Sequence, residues 1–302
     1  MPAVKLKLRR ATREYIIKGF LLLCALSSLV FLAGIVFVLF SQGLRVFGFV
    51  RITDFLFGRN WYPTHEIPEF GILPMIYGSV VITFGALILA APLGIASALF
   101  ISEVAPSRLK EIIKPVVELL GGIPSVVYGL FGAMVVAPFV QRLFNLPTGL
   151  TALSAAIVLG IMILPTITSI VEDAFSAIPN EYREAALALG ATKWETMTKI
   201  VLPAASSGIT TGVILGMGRA IGETMAVLMV AGGSARIDFS LLKPVRAMTS
   251  TIAAEMAETV KGSDHFYSLF AIAVVLFIIT FIFNLVAGRV TARFNRRFTG
   301  GK

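Results

Sequence analysis

Long apolar runs alternate with short polar segments along the chain. Six runs reach the roughly 20 residues that a helix needs to cross a bilayer core. They are residues 16–40, 72–101, 115–140, 150–171, 206–232 and 267–290. Pro92 and Pro124 fall inside the second and third runs. In water they would end helices, but membrane helices tolerate proline where neighbours re-satisfy the freed backbone groups. The pattern predicts an all-α integral membrane protein with six transmembrane helices.

Composition supports this over the reading that length suggests. A chain of 302 residues would ordinarily hold two soluble domains. This one is 57% hydrophobic and 14% charged, with mean hydropathy +0.88, whereas soluble domains carry about a quarter charged residues. The expected organisation is one membrane domain over residues 16–290, with a cytoplasmic N-terminal tail at 1–15 and a cytoplasmic basic tail at 291–302. The first apolar run is longer than the 7–15-residue core of a signal peptide, and no small-x-small cleavage site follows it. It is therefore expected to stay as a membrane helix.

Charge sets the expected orientation. Lys5, Lys7, Arg9, Arg10, Arg13 and Lys18 precede the first run. Arg108, Lys110 and Lys114, then Arg183, Lys193 and Lys199, then the basic C-terminal tail, fall on the same side of alternating spans. They outnumber the positive residues of the other loops about two to one, and positive residues stay inside. Both termini are thus expected in the cytoplasm of a bacterial or archaeal cell, and the chain is expected in its inner membrane. The net charge of +9 sits at span ends, without a basic stripe and interleaved aromatics, so no nucleic-acid partner is expected. Cys24 is the single cysteine, and His65 and His265 lie in different loops as solvated residues. No metal site and no catalytic constellation is expected from them.

The polar segment 178–203 carries the most information. Pro179 and Asn180 open a short helix that Gly190 can close. Thr192 and Glu195 have capping-box spacing for a second helix, with Pro203 as its stop. Ala185, Ala186 and Ala188 give the first helix a small-residue face for close approach. The order Glu184-Ala185-Ala186, three residues, Gly190, nine residues, Ile200, one residue, Leu202-Pro203 resembles the EAA loop of ABC-importer permeases at every defining position. That resemblance implies a type I ABC importer permease (MetI-like) fold and a coupling helix seated in a cleft of a separate ATPase. A phosphate-cradling loop, Gly-x₄-Gly-Lys-[Ser/Thr], is missing, since the one Gly-Lys pair is Gly301-Lys302. No cofactor is expected in this chain, and ATP belongs to the partner ATPase subunit.

A second feature is the charged pair Arg219 and Glu223 inside the fifth run. A charge at membrane depth costs about 2.5–3.5 kcal/mol or more, so such residues face a cavity or pair. Four residues apart, the two would share a helix face, with Gly216, Gly218 and Gly222 allowing close packing. They serve either an anion path, because the Arg fork matches oxyanion oxygens, or a permanent interhelix ion pair. Gly121-Gly122-Ile123-Pro124-Ser125 similarly offers either helix-end amides for an anion or a plain kink. Glu118, one turn earlier, would repel an anion unless paired.

Arg219-Ala-Ile-Gly-Glu-Thr-Met-Ala226 resembles the fifth-span motif of the PstC-type permeases of phosphate importers. Gly121–Gly129, Trp61-Tyr-Pro63, Phe70-Gly-Ile-Leu-Pro74 and Ala91-Pro-Leu-Gly94 leading to Glu103 are similar to the same family. The resemblance implies a PstA-type permease partner, an ATPase dimer, an extracytoplasmic phosphate-binding protein and inorganic phosphate as substrate, all around a lipid bilayer. It places Arg219 and Glu223 on the translocation path, with Thr224 and Ser125 as further path candidates. It also makes the outer loops, with Trp61, Tyr62 and residues 236–261, the docking surface for the binding protein, although Trp61 fits interfacial anchoring equally well. Rival readings are a permease for sulfate, molybdate or phosphonate, an ATP-independent secondary transporter, and an intramembrane enzyme. Only the first shares the EAA loop, which does not distinguish these anions; the fifth-span motif alone speaks for phosphate, and Arg219 would recognise any of them.

Overall fold

The computed structural model describes residues 2–298, with side chains placed for residues 14–289. The basic side chains at residues 5–13 and 293–302 lie outside those described. Helix α1 (Pro2–Gly43) contains the first apolar run. Its side chains from Tyr15 to Phe37 are exposed on every face, which suits a helix solvated by lipid.

After a short 3₁₀ turn, α2 (Ile52–Phe57) and the hairpin β1 (Trp61–Tyr62) and β2 (Glu69–Phe70) fold over one end of the molecule. Trp61 stands opposite Phe70 in the antiparallel register. Both are buried in a small core with Phe55, Met75, Met248 and Leu269. The Trp61 indole donates to Glu255 Oε2 at 3.0 Å. Glu255 also accepts from Arg246 Nη1 at 2.6 Å and meets His265 Nε2 at 2.8 Å. This corrects two expectations. Trp61 is an internal brace, neither a bilayer anchor nor a docking residue, and His265 is held by Glu255 and Trp61 instead of being solvated. The partner carboxylate is 194 residues from Trp61, beyond any local reading. Tyr62 remains 41% exposed.

Helix α3 (Leu73–Leu99) carries Pro92 in its interior and ends in a π turn, Phe100–Val104. The third crossing differs from its expected 115–140 range. Residues 107–121 form a separate amphipathic helix, α4 (Ser107–Gly121), and the crossing runs Ser125–Leu143 as α5 (Ser125–Phe131), a π turn and α6 (Ala137–Leu143). Pro124 is the residue that caps α5, at φ −58°. Two glycines followed by an X-Pro step, which pushes Ile123 out of the helical region, break the chain there.

Helix α7 (Ala152–Ser176) is the centre of the molecule, packed along α3 and along α11 (Ser206–Ile221). Between α7 and α11 lie α8 (Asn180–Ala188), α9 (Lys193–Thr196), a π turn and α10 (Leu202–Ala204). Beyond them come α12 (Met225–Val230), α13 (Met248–Glu255) and the last apolar helix, α14 (Asp264–Phe298). Five helices are long and apolar enough to cross a membrane among the described residues. The pair Lys193–Ala204 and Ser206–Ile221, bent by 66°, is the sixth candidate if the two count as one span. The 16 residues of α11 span about 24 Å, short of a roughly 30 Å core, so the expected helix over 206–232 is interrupted.

Of the glycines expected to allow close packing, only Gly216 packs α11 on α7; Gly208 and Gly212 do the rest. A Cβ at Gly208 would collide with Ala174, at Gly212 with Val171 at 2.8 Å, and at Gly216 with Ile167 at 2.7 Å. This four-residue stripe lets the helices approach closely. Gly218 has nothing near it, and Gly222 meets only its own turn.

Candidate functional site: a coupling knob and an arginine cavity

The segment between α7 and α11 is built as its residues dictate. Pro179 caps α8 at φ −56°, and Gly190 turns the chain at φ +88°, where an L side chain is strained. Thr192 Oγ1 accepts from Glu195 N at 3.2 Å, and Glu195 Oε2 accepts from Thr192 N at 3.0 Å, completing the capping box. Glu184 and Ala185 are exposed, while Ala186 is buried. The apolar side chains of Tyr182, Leu189 and Trp194 stand out, with Leu189 90% exposed. Pro203 does not stop the second helix. The preceding π turn, Met197–Val201, shifts the bonding so that Leu202 N–H reaches Met197 O, and Pro203 enters the first turn of α10, where no N–H is needed. The break follows at Ala205. Ile200 and Pro203 line a cavity of about 630 Å³ with Ile178, Pro179, Tyr182 and Lys199.

Arg183 pins this knob to the helices. Its Nη2 donates to Glu103 Oε1 at 2.7 Å and to Phe175 O at 2.9 Å, and its Nη1 donates to Ile178 O at 2.7 Å. One planar fork thus joins α8, the end of α7 and the π turn after α3. The pair is largely sheltered, with side chains 19% and 11% exposed. The sequence shows both residues, but 80 positions apart, and no spacing rule links them. A second brace ties α4 to α7: the buried Glu172 receives Lys110 at 2.8 Å and Lys114 at 2.6 Å. Hydrogen bonds to Asp173 and Glu172 hold the Lys114 pKa above its ordinary value near 10.5.

Arg219 lies in the last turn of α11. Its Nη1 donates to Thr166 Oγ1 at 3.0 Å and its Nη2 to Gly121 O at 3.2 Å. The second contact places the cation at the carbonyl end of α4, where the helix dipole is negative. Tyr128 Oη donates to Leu120 O at 2.8 Å, so side chains on neighbouring helices satisfy two carbonyls of that open end. Arg219, Thr166, Ser169, Gly121 and Glu118 line a cavity of about 240 Å³.

The expected Arg219–Glu223 pair does not form. Helix α11 ends at Ile221, so Glu223 falls in the break and loses the shared face. Its Oε1 instead accepts from Ala226 N at 3.1 Å, at the start of α12. Thr224 is the capping position of α12 and donates to Gly222 O. Ser125 opens α5. Glu223, Thr224 and Ser125 all stand outside the lining of the Arg219 cavity.

Comparison with known proteins agrees with this architecture. A family model described as "Binding-protein-dependent transport system inner membrane component" matches residues 90–300. The chain is 41% identical to a probable ABC transporter permease protein, YqgH, of Bacillus subtilis over 272 residues, covering 89% of this chain and 88% of that protein. It is 40% identical to the phosphate transport system permease protein PstC of Mesorhizobium japonicum over 295 residues, covering 90% and 88%. In fold it is similar to a chain in the crystal structure of a bacterial alginate ABC transporter in complex with alginate pentasaccharide-bound periplasmic protein. The TM-score is 0.67 at 16% identity, covering 96% of this chain and 97% of that one. A multi-pass membrane chain with this loop, this fold and these relatives belongs to the binding-protein-dependent transport inner membrane component family, among its PstC-type permeases.

Proposed function

We propose that this chain is the PstC-type permease subunit of an ATP-driven phosphate importer. It pairs with a PstA-type permease, receives phosphate from an extracytoplasmic binding protein and docks an ATPase dimer on Glu184, Ala185, Ala186, Gly190, Ile200, Leu202 and Pro203. The observation that carries the reading is the Arg219 cavity, because it supplies a fixed cation at the end of the helix that leaves the docking knob. The guanidinium rests on a neutral carbonyl and a hydroxyl, both weaker partners than an anion. A tetrahedral oxyanion entering the cavity can displace Gly121 O and take both Nη groups in a charge-assisted fork. The exposed Tyr182, Leu189 and Trp194 of the knob favour capture in a partner cleft. ATP-driven closure there would shift α8, and through Arg183 and α10 the ends of α3, α7 and α11.

Replacing Arg219 by Gln tests the path. Uptake of radiolabelled phosphate is expected to vanish while the complex still assembles and still binds its ATPase. Normal uptake by that variant would remove the proposal. The same machine carrying sulfate, molybdate or phosphonate is the remaining reading, since the guanidinium binds any of these.

A further inference from the structure

Glu118 is the anomalous member of the Arg219 cavity. A site for an anion gains nothing from a bare carboxylate, yet Glu118 shares the lining with Arg219, Thr166 and Ser169. Glu118 and Gly121 are three residues apart on α4 and so lie on one face, and Gly121 O is itself in contact with Arg219. Glu118 is exposed and makes no hydrogen bond or ion pair among the described residues. Its neighbour α7 presents hydroxyls: Thr166 is engaged by Arg219, while Ser169 has no protein partner among the described residues. The other side chains lining the cavity are thus one cation, two hydroxyls and apolar groups of α4 and α7.

An ionised carboxylate is an acceptor only. It is a useful wall for an anion that itself carries a proton. Phosphate at neutral pH carries at least one P–O–H, whereas sulfate carries none. We infer that Glu118 is the specificity-determining residue of this cavity: it accepts the hydrogen bond of a protonated tetrahedral oxyanion held by Arg219, and it opposes fully deprotonated oxyanions. The protonated anion gains a charge-assisted bond. A sulfate-class anion meets an unpaired acceptor and a like charge, which is discrimination by an opposing element. Sites that read a substrate hydroxyl reject analogues lacking it far more strongly than apolar pockets reject a missing methylene. The inference rests on the proposed oxyanion path through Arg219 and deepens it, from anion to hydrogen-bearing anion.

The test is equilibrium binding to the purified permease–ATPase complex without its binding protein, so that selection upstream does not enter. Radiolabelled phosphate is bound and then competed with sulfate, at neutral pH, for the native complex, Glu118→Gln and Arg219→Gln. The native complex is expected to bind phosphate and resist excess sulfate. Glu118→Gln, which keeps the shape and removes the charge, is expected to shift sulfate competition by about tenfold or more, the scale of one hydrogen bond to a charged group. Arg219→Gln is expected to bind neither anion. If phosphate binds through Arg219 but Glu118→Gln leaves sulfate as poor a competitor as before, the role of Glu118 is overturned and the path stands. If the native complex binds no phosphate, or Arg219→Gln binds it normally, the path itself falls and the inference falls with it.

Discussion

Arg219 was visible in the sequence as a charge out of place, but its partners were not. Reading it as a helical neighbour of Glu223 assumed that the helix continues, and Gly222 is where it stops. Thr166 and Gly121 lie 53 and 98 positions away, so only the packing of α4 and α7 on α11 brings them to the guanidinium. Gly190 is the opposite case, since its role was legible locally and the structure agrees. A Cβ there meets nothing within 4 Å, so Gly190→Ala carries only the backbone strain of a positive φ, about 1 kcal/mol or somewhat more. If the turn must be formed for docking, that strain weakens ATPase binding about fivefold. A titration of ATPase against the permease pair measures it, and Gly190→Asn should lose less, because asparagine tolerates the left-handed region.

At the scale of elements, the apolar runs located the crossings well and their interruptions poorly. Hydropathy averages over a window, whereas the breaks at residues 122–124, 205 and 222–224 come from short glycine, proline and π-turn features that leave the average unchanged. The separate helix α4 is the main consequence, because it carries both Gly121 and Glu118 to the cavity. The knob between α7 and α11 was read correctly in its turn and capping box, which are local, and missed in its anchorage by Arg183, which is not. Arg183 and Glu103 are expected to be strongly coupled. In a double-mutant cycle with Arg183→Ala and Glu103→Ala, scored by thermal denaturation of the purified complex, the interaction energy should reach about 1–3 kcal/mol, because each single change leaves a sheltered charge unpaired. Additive losses would show that the clasp is incidental.

For the whole molecule, the charge asymmetry of the loops predicts which end faces the cell interior. In a Cys24→Ser background, a cysteine in place of Leu189, 90% exposed, should react with a membrane-impermeant maleimide only in inverted vesicles. One in place of Phe239, 92% exposed beside the start of α3, should react only in right-side-out vesicles. The reverse pattern would invert the proposed topology. A crosslink that fixes Trp194 in the ATPase is expected to abolish uptake, because the knob and Arg219 are joined through one short helix, α11, and must move together. Unchanged uptake would disconnect them. By itself the sequence determined the membrane class, the positions of the apolar runs, the turn and capping box of the polar loop, and the cationic residue of interest. Each of these is written in local composition, spacing or periodicity. The tertiary structure alone decided what surrounds that cation, which glycines seat α11, what Trp61 and His265 hold and how the loop is clasped. Those contacts join residues tens to hundreds of positions apart, where period and spacing carry no information and only packing brings the groups within reach.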